Sequence, residues 1–182
     1  FDAHSKVPPL TDSPSPRESA SPAPLALPLP GLAPSMVLVK EHISEVALRE
    51  IKTGAISLHE TGGGLVVSIQ EAGFFDSGSA DIRSSAVPVL ERIAATLPES
   101  PLRVEGHTDD VPINTPLFAS NWELSSSRAC SIARLLLRHP NVHPDKMSVA
   151  GYAAFHPVAS NATADGRERN RRVDIVVLAT SR

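Results

Sequence analysis

Proline sets the first limit on this chain. Nine of its 17 prolines fall within residues 1–34, interleaved with serine, alanine and leucine, as in Ser13-Pro14-Ser15-Pro16 and Pro22-Ala23-Pro24. Each proline removes a backbone donor and fixes φ, so this stretch can build neither a helix nor a strand ladder. It is expected to be extended or disordered. In polyproline II form, at roughly 3 Å per residue, it could reach on the order of 100 Å. Two readings stay open for it, a tether or a terminus without a role. The folding information must therefore lie after Pro34, in a length that suits one compact domain.

Composition excludes several classes. The 182 residues are 41% hydrophobic and 20% charged, ordinary for a globular protein. A formal net charge of -3 gives no basis for bulk attraction to nucleic acid or anionic membrane. Only 4% of residues are aromatic, too few for a base-stacking platform. Cys130 is the sole cysteine, which excludes an internal disulfide and a cysteine-rich zinc site and leaves the redox compartment open. No run of about 18 apolar residues occurs, so nothing here is expected to span a bilayer. The chain starts at Phe1 without a signal-peptide pattern. It reads as a fragment that lacks an upstream part, one that can include an anchor in the inner membrane.

After Pro34 the apolar residues become periodic. Val39, Ile43, Val46, Ala47 and Ile51 recur between charged residues, which predicts an amphipathic helix with Ser35 as N-cap. Its stripe needs cover, from the main domain or from a second chain. Gly62-Gly63-Gly64 breaks the chain before a strand at Leu65–Ile69. Val87, Leu90, Ile93, Ala94 and Leu97 form the stripe of a helix ended near Pro98, and Leu102–Glu105 alternates as a strand. Residues 107–119 read as a loop. Ser120-Asn121-Trp122-Glu123 matches a capping box, with the Ser120 hydroxyl accepting from the Glu123 backbone. It opens a helix to about Arg138 with Ala129, Ile132, Ala133 and Leu136 inward. Cys130, beside Ala129, is expected to be a buried, inert thiol. A short strand at Met147–Ala150, a short helix at Arg167–Arg171 and a strand at Val173–Leu178 complete the order βαβαβ(α)β. The expected fold is α/β (α+β), a two-layer sandwich with a mixed four-stranded sheet and helices on one face, preceded by the amphipathic helix. The expected organisation is a linker over 1–34, a helix and connector over 35–61, and a binding domain over 62–182.

Three segments carry a resemblance. They are Phe75-Asp76-Ser77-Gly78-Ser79-Ala80; Glu105 to Ile113 continued by Ser120 to Ala129; and Gly151-Tyr152 with Pro157 to Asn161 and Gly166 to Val173. Together they resemble the OmpA-like peptidoglycan-binding family, in its MotB-type branch, over roughly residues 60–180. Residues 153–156 depart from the family pattern, reading Ala-Ala-Phe-His. The segment between Asp109 and Arg128 is longer than in the OmpA and Pal branch, which favours a motility or secretion-system relative.

The resemblance implies binding to the stem peptide of peptidoglycan, usually at diaminopimelate, by a periplasmic, non-catalytic anchor without cofactor. It implies a flagellar stator subunit that pairs as a homodimer and meets a membrane stator partner. The alternative is a secretion-system component or an outer-membrane linker. Diaminopimelate presents a carboxylate and an ammonium at one end. Asp109 can accept from the ammonium, and Arg128, two turns into its helix, can grip the carboxylate through two N–H groups. By the same resemblance Thr108, Phe75, Asp76, Leu124, Ser125 and Arg171 line the pocket, and the helix start offers backbone N–H groups to a carboxylate. Without the motif context, Asp109 reads as a turn-stabilising residue and Arg128 as a surface charge. Of Arg171 and Arg172, one is expected to face ligand or a partner loop and the other to lie on the surface or the sheet. His107-Thr108-Asp109-Asp110 offers too few ligands, in adjacent positions and without a distant cluster, so no metal is expected and His107 should order the loop through hydrogen bonds. Ser125 to Ser127 lack a nucleophile elbow and a placed base, so no hydrolase is expected.

Overall fold

A computed structural model describes residues 34–179. The expected linker lies, apart from Pro34, outside the described residues. Five strands form one mixed sheet: β1 (Ile56–Thr61), β2 (Gly64–Gln70), β3 (Leu102–His107), β4 (Met147–Gly151) and β5 (Arg172–Leu178), in spatial order β1-β2-β5-β3-β4. The last strand in sequence thus takes the centre, antiparallel to both β2 and β3. β4 runs parallel to β3, which requires a crossover. That crossover is α5 (Asn121–Leu136). With α1 (Pro34–Val46) and α4 (Val87–Thr96), it covers one face of the sheet. Leu65, Val67 and Ile69 of β2 and Val173, Ile175 and Val177 of β5 point into this layer, as strand alternation demands. Short helices α2 (Leu48–Lys52), α3 (Glu71–Phe74) and α6 (Ala164–Asn170) sit at connections.

The fold class is the expected one, with five strands where four were expected. Ile56–Thr61 lay in the expected connector but pairs with β2 across Gly62-Gly63, so the glycine run is a hairpin turn. Gly64 closes it at φ 146°, where an added Cβ would stand 2.0 Å from the Val177 carbonyl oxygen.

The amphipathic helix ends at Val46, and a second short helix follows Ala47. Its stripe of Met36, Val39, Ile43 and Ala47 enters the same core as Val89, Leu90 and Ile93 of α4. The cover comes from this chain's own domain. Burying a side chain such as Ile43 stabilises this contact by about 2 kcal/mol. The Ser35 side chain lies outside the described residues.

At the head of α5, Ser120 is the N-cap, but its hydroxyl accepts from Trp122 N (3.2 Å) instead of Glu123 N. The Glu123 carboxylate reaches back to that hydroxyl. This bond holds the Glu123 pKa below its ordinary value. Cys130 is exposed, a correction to the expected buried thiol. It follows Ala129 by one residue, which rotates it about 100° off the inward face.

Candidate binding site

Strand register builds the site. The β2–β5 ladder ends at Gln70 opposite Arg172, and the β3–β5 ladder ends at His107 opposite Arg172. One step further, Glu71 and Thr108 therefore flank Arg171 at the same end of the sheet. Glu71 N donates to the Arg171 carbonyl at 2.9 Å. Helix α5 is pressed onto this end because Gly106 and Gly151 lack side chains. A Cβ on Gly106 would lie 1.9 Å from the Ser125 carbonyl oxygen, and one on Gly151 would lie 2.2 Å from Ser126 Oγ. That close approach brings Arg128 to the sheet end.

Four charges form a chain there. Arg128 Nη2 donates to Glu71 Oε1 at 2.6 Å. Arg171 Nε lies 2.7 Å from Glu71 Oε2, a close ion pair whose N–H is not aimed along the contact. Arg171 Nη1 donates to Asp109 Oδ2 at 2.7 Å. Burial works against the Arg171 charge, but the Asp109 hydrogen bond and the Glu71 carboxylate outweigh it and raise the pKa. Asp109 Oδ1 also accepts from Val111 N at 3.1 Å, so the residue shapes its turn as well. These residues line a cavity of about 370 Å³ together with Thr108 and Leu124.

Arg128 is 2% exposed, so it is no surface charge. Its Nε donates to Ser79 O (2.7 Å), and the guanidinium carbon stands 5.3 Å from the centre of the Phe75 ring. No group among the described residues accepts from its Nη1, and the residue lines the cavity. Phe75 is buried behind Arg128 and Asp76 pairs outward with Arg83 at 2.8 Å, so the cavity wall is made by Ser77 and Gly78 instead. Ser125 is fully buried, bonded to Trp122 O and Ala153 N, and stands behind the wall. At the helix start the Ser120 hydroxyl takes the Trp122 N–H, one of the donors expected to be open to a carboxylate.

Asn170, Arg171 and Arg172 have separate tasks. Asn170 is buried and ties residues 158–161 to α6, accepting from Val158 N and Ala159 N. Arg171 enters the cavity, and Arg172 lies on the far face of the sheet beside Asp174 (3.0 Å). Glu71 carried no motif and was absent from the expected site. The 153–156 departure is a turn with Ala153 at φ 48°, whose carbonyl accepts from Thr108 N at 2.9 Å.

The sheet face away from the helices is polar. A second cavity, about 720 Å³, lies there beside α6, among His59, Ser68, Arg169 and Asp174. His107 points to this face and is 2% exposed, but neither ring nitrogen is hydrogen bonded among the described residues. The expected loop-ordering hydrogen bonds of His107 are therefore not made. Burial first, then the charges of Arg172 and His156, push its pKa down to about 3. Glu105, His107 and Asp174 converge there as possible cation ligands.

A sequence profile of the OmpA family matches residues 74–171, just over half of the chain. The chain belongs to the OmpA family. The matched span holds Asp109, Arg128 and Arg171, and begins just after Glu71. Motility protein B of Bacillus subtilis is 43% identical over 121 residues, which is 65% of this chain and 46% of that protein. The chain thus spans about half the length of that OmpA-family relative. A solved structure of the cell wall anchor of the T6SS from Pseudomonas aeruginosa superposes with TM-score 0.70 at 36% identity, covering 76% of this chain and 97% of that one. The periplasmic domain of Helicobacter pylori MotB does so with TM-score 0.62 at 27% identity, covering 69% and 83%.

Proposed function

We propose that this chain is a non-catalytic, periplasmic anchor that holds peptidoglycan by the free end of a diaminopimelate-containing stem peptide. The observation that carries the reading is the charge chain Asp109–Arg171–Glu71–Arg128 along one cavity. A zwitterionic end group needs an anion and a cation a few ångströms apart, and this chain supplies both. The ammonium takes Asp109 in place of Arg171, and the carboxylate takes the released Arg171 together with Arg128 Nη1. Charge-assisted bonds of this kind are about twice as strong as neutral ones. Thr108 and Leu124 shape the wall, while Phe75, Asp76 and Ser125 hold the wall in place.

The likeness to Motility protein B supports the periplasmic region of a flagellar stator subunit. In that reading an upstream membrane segment meets the stator partner, and two copies pair. No helix among the described residues is long and apolar enough to cross a membrane. A second reading, a secretion-system anchor, is favoured by the T6SS superposition. Co-sedimentation with purified sacculi tests the shared claim. Wild type should pellet, and Asp109→Ala and Arg171→Ala, checked for folding, should stay in the supernatant. A folded wild type that fails to pellet refutes the anchor reading.

A further inference from the structure

The polar face of the sheet carries a donor set that the pocket does not use. The β3–β5 register sets Glu105 opposite Asp174 and His107 opposite Arg172, so all four side chains share that face. His107 Nε2 lies 3.4 Å from Asp174 Oδ2 and 3.8 Å from Glu105 Oε2. Neither approach is aligned as a hydrogen bond, and Asp174 Oδ1 is buried and has no partner among the described residues. A buried polar atom left without a partner forfeits its hydration with nothing in return. His107 Nε2 and the Asp174 carboxylate, side by side and short of partners among the described residues, call for an occupant that satisfies both.

We infer that Glu105, His107 and Asp174 form a binding site for one divalent transition-metal cation of the zinc type. Donors bound at about 2.0–2.1 Å around a tetrahedral ion stand about 3.4 Å apart. His107 Nε2 stands at that edge length from the Asp174 carboxylate (Oδ2, 3.4 Å) and somewhat beyond it from Glu105 Oε2 (3.8 Å), and one donor atom from each residue lies within 4.8 Å of the other two. One imidazole and two carboxylates suit such an ion and leave a fourth position for water. The ligand the motif lacked comes from a distant strand: Asp174 stands 67 positions after His107 in the sequence and two residues before Val176.

The Asp174 carboxylate is itself held, as ligating carboxylates normally are. Arg172 donates to Asp174 Oδ2 (3.0 Å) and Arg103 to Glu105 Oε1, which leaves Asp174 Oδ1 and Glu105 Oε2 for an ion. The two arginines also oppose a cation. Arg172 is buried and fixed by the carbonyls of Asn170 and His156. Arg103 is half-exposed, and such a pair contributes little. Cation entry therefore swings Arg103 outward into solvent.

The test uses the full chain, stripped with chelator at pH 7. Zn²⁺ is titrated by calorimetry and Co²⁺ by its visible absorption. One equivalent should bind, with affinity falling at least about tenfold in His107→Ala and in Asp174→Asn. Arg103→Gln, on the surface, should bind more tightly because it removes the opposing charge. His139→Gln should bind as wild type. The site is overturned if the wild type binds no stoichiometric metal. It is equally overturned if binding survives in His107→Ala, which would place it on the exposed histidines. Should His107→Ala fail to fold, an Arg103→Gln affinity equal to or weaker than wild type overturns it.

Discussion

Replacing Glu71 by Gln should weaken the fold and strengthen the pocket at once. Glu71 is 8% exposed and its carboxylate faces two guanidinium groups. Neutralising it strands the Arg128 charge, which is 2% exposed and within 2.6 Å. Removing one partner of a buried pair costs about 3–5 kcal/mol. The amide retains an acceptor for Arg128 Nη2, which favours the lower end. Arg171 is about one-third exposed, and solvent screens most of its share. A loss of about 3 kcal/mol follows, or a Tm lower by about 6–12 °C for a chain of this size. Binding is expected to move the other way. In the proposed binding mode Glu71 competes with the ligand carboxylate for both arginines, so the amide frees them. Thermal melts and diaminopimelate titration on the same preparation read both quantities. A variant with unchanged Tm refutes the buried-pair argument. One that loses affinity while folded refutes the competition argument, and assigns Glu71 to direct support of the ligand.

Three further outcomes are expected. His107 has a folded pKa of about 3 against 6.5 in the unfolded chain, so its contribution to stability is complete above pH 6.5 and declines as pH falls towards 3; one proton gives a slope of at most about 1.4 kcal/mol per pH unit. Urea unfolding at pH 7 and pH 4.5 should show that decline, and His107→Gln should flatten it. Ser120→Ala removes the α5 cap and should cost about 1 kcal/mol in the same assay, with a null result arguing that Glu123 alone secures the helix start. Gly106→Ala sets a methyl against the Ser125 carbonyl, which neither backbone can yield easily; a loss of about 3 kcal/mol or more is expected, and a crystal structure with α5 unmoved would contradict the reading.

The helical layer was readable because its signals are local. The α5 stripe and its cap lie within one run of residues, and the observed helix starts at the expected Ser120, whose hydroxyl takes the Trp122 N–H instead of that of Glu123. β1 escaped because Ile56–Thr61 is an edge strand with only Ile56 buried and its outer half exposed, so alternation fades after Leu58. The motifs marked Asp109, Arg128 and Arg171, which do meet in one cavity. Glu71 was invisible for a different reason. Its partner Arg171 lies 100 positions downstream, and only the β2–β5 register brings the two together. The same holds for Asp174 beside His107. Cys130 faces solvent although its neighbour Ala129 is buried, because successive residues on a helix point in different directions.

The placement of α1 has a mechanical consequence for an anchor. A load entering through Pro34 meets α1 before anything else, then the outermost strand β1, and reaches the interior ladder of β2, β5 and β3 last. Helix α1 adheres through one stripe of apolar side chains, the Lys40–Glu60 ion pair and an Arg92 hydrogen bond to the Val46 carbonyl, whereas the pocket is framed by backbone pairing on both sides of β5. Peeling its 13 residues converts a rod of about 20 Å into a strand of about 45 Å. For the proposed anchor this gives roughly 25 Å of slack before the pocket is loaded. Optical-tweezers traces pulled between the N-terminus and a handle near Asp109 should show that step first, before the sheet ruptures. A single all-at-once rupture would mean that helix and sheet carry load as one body.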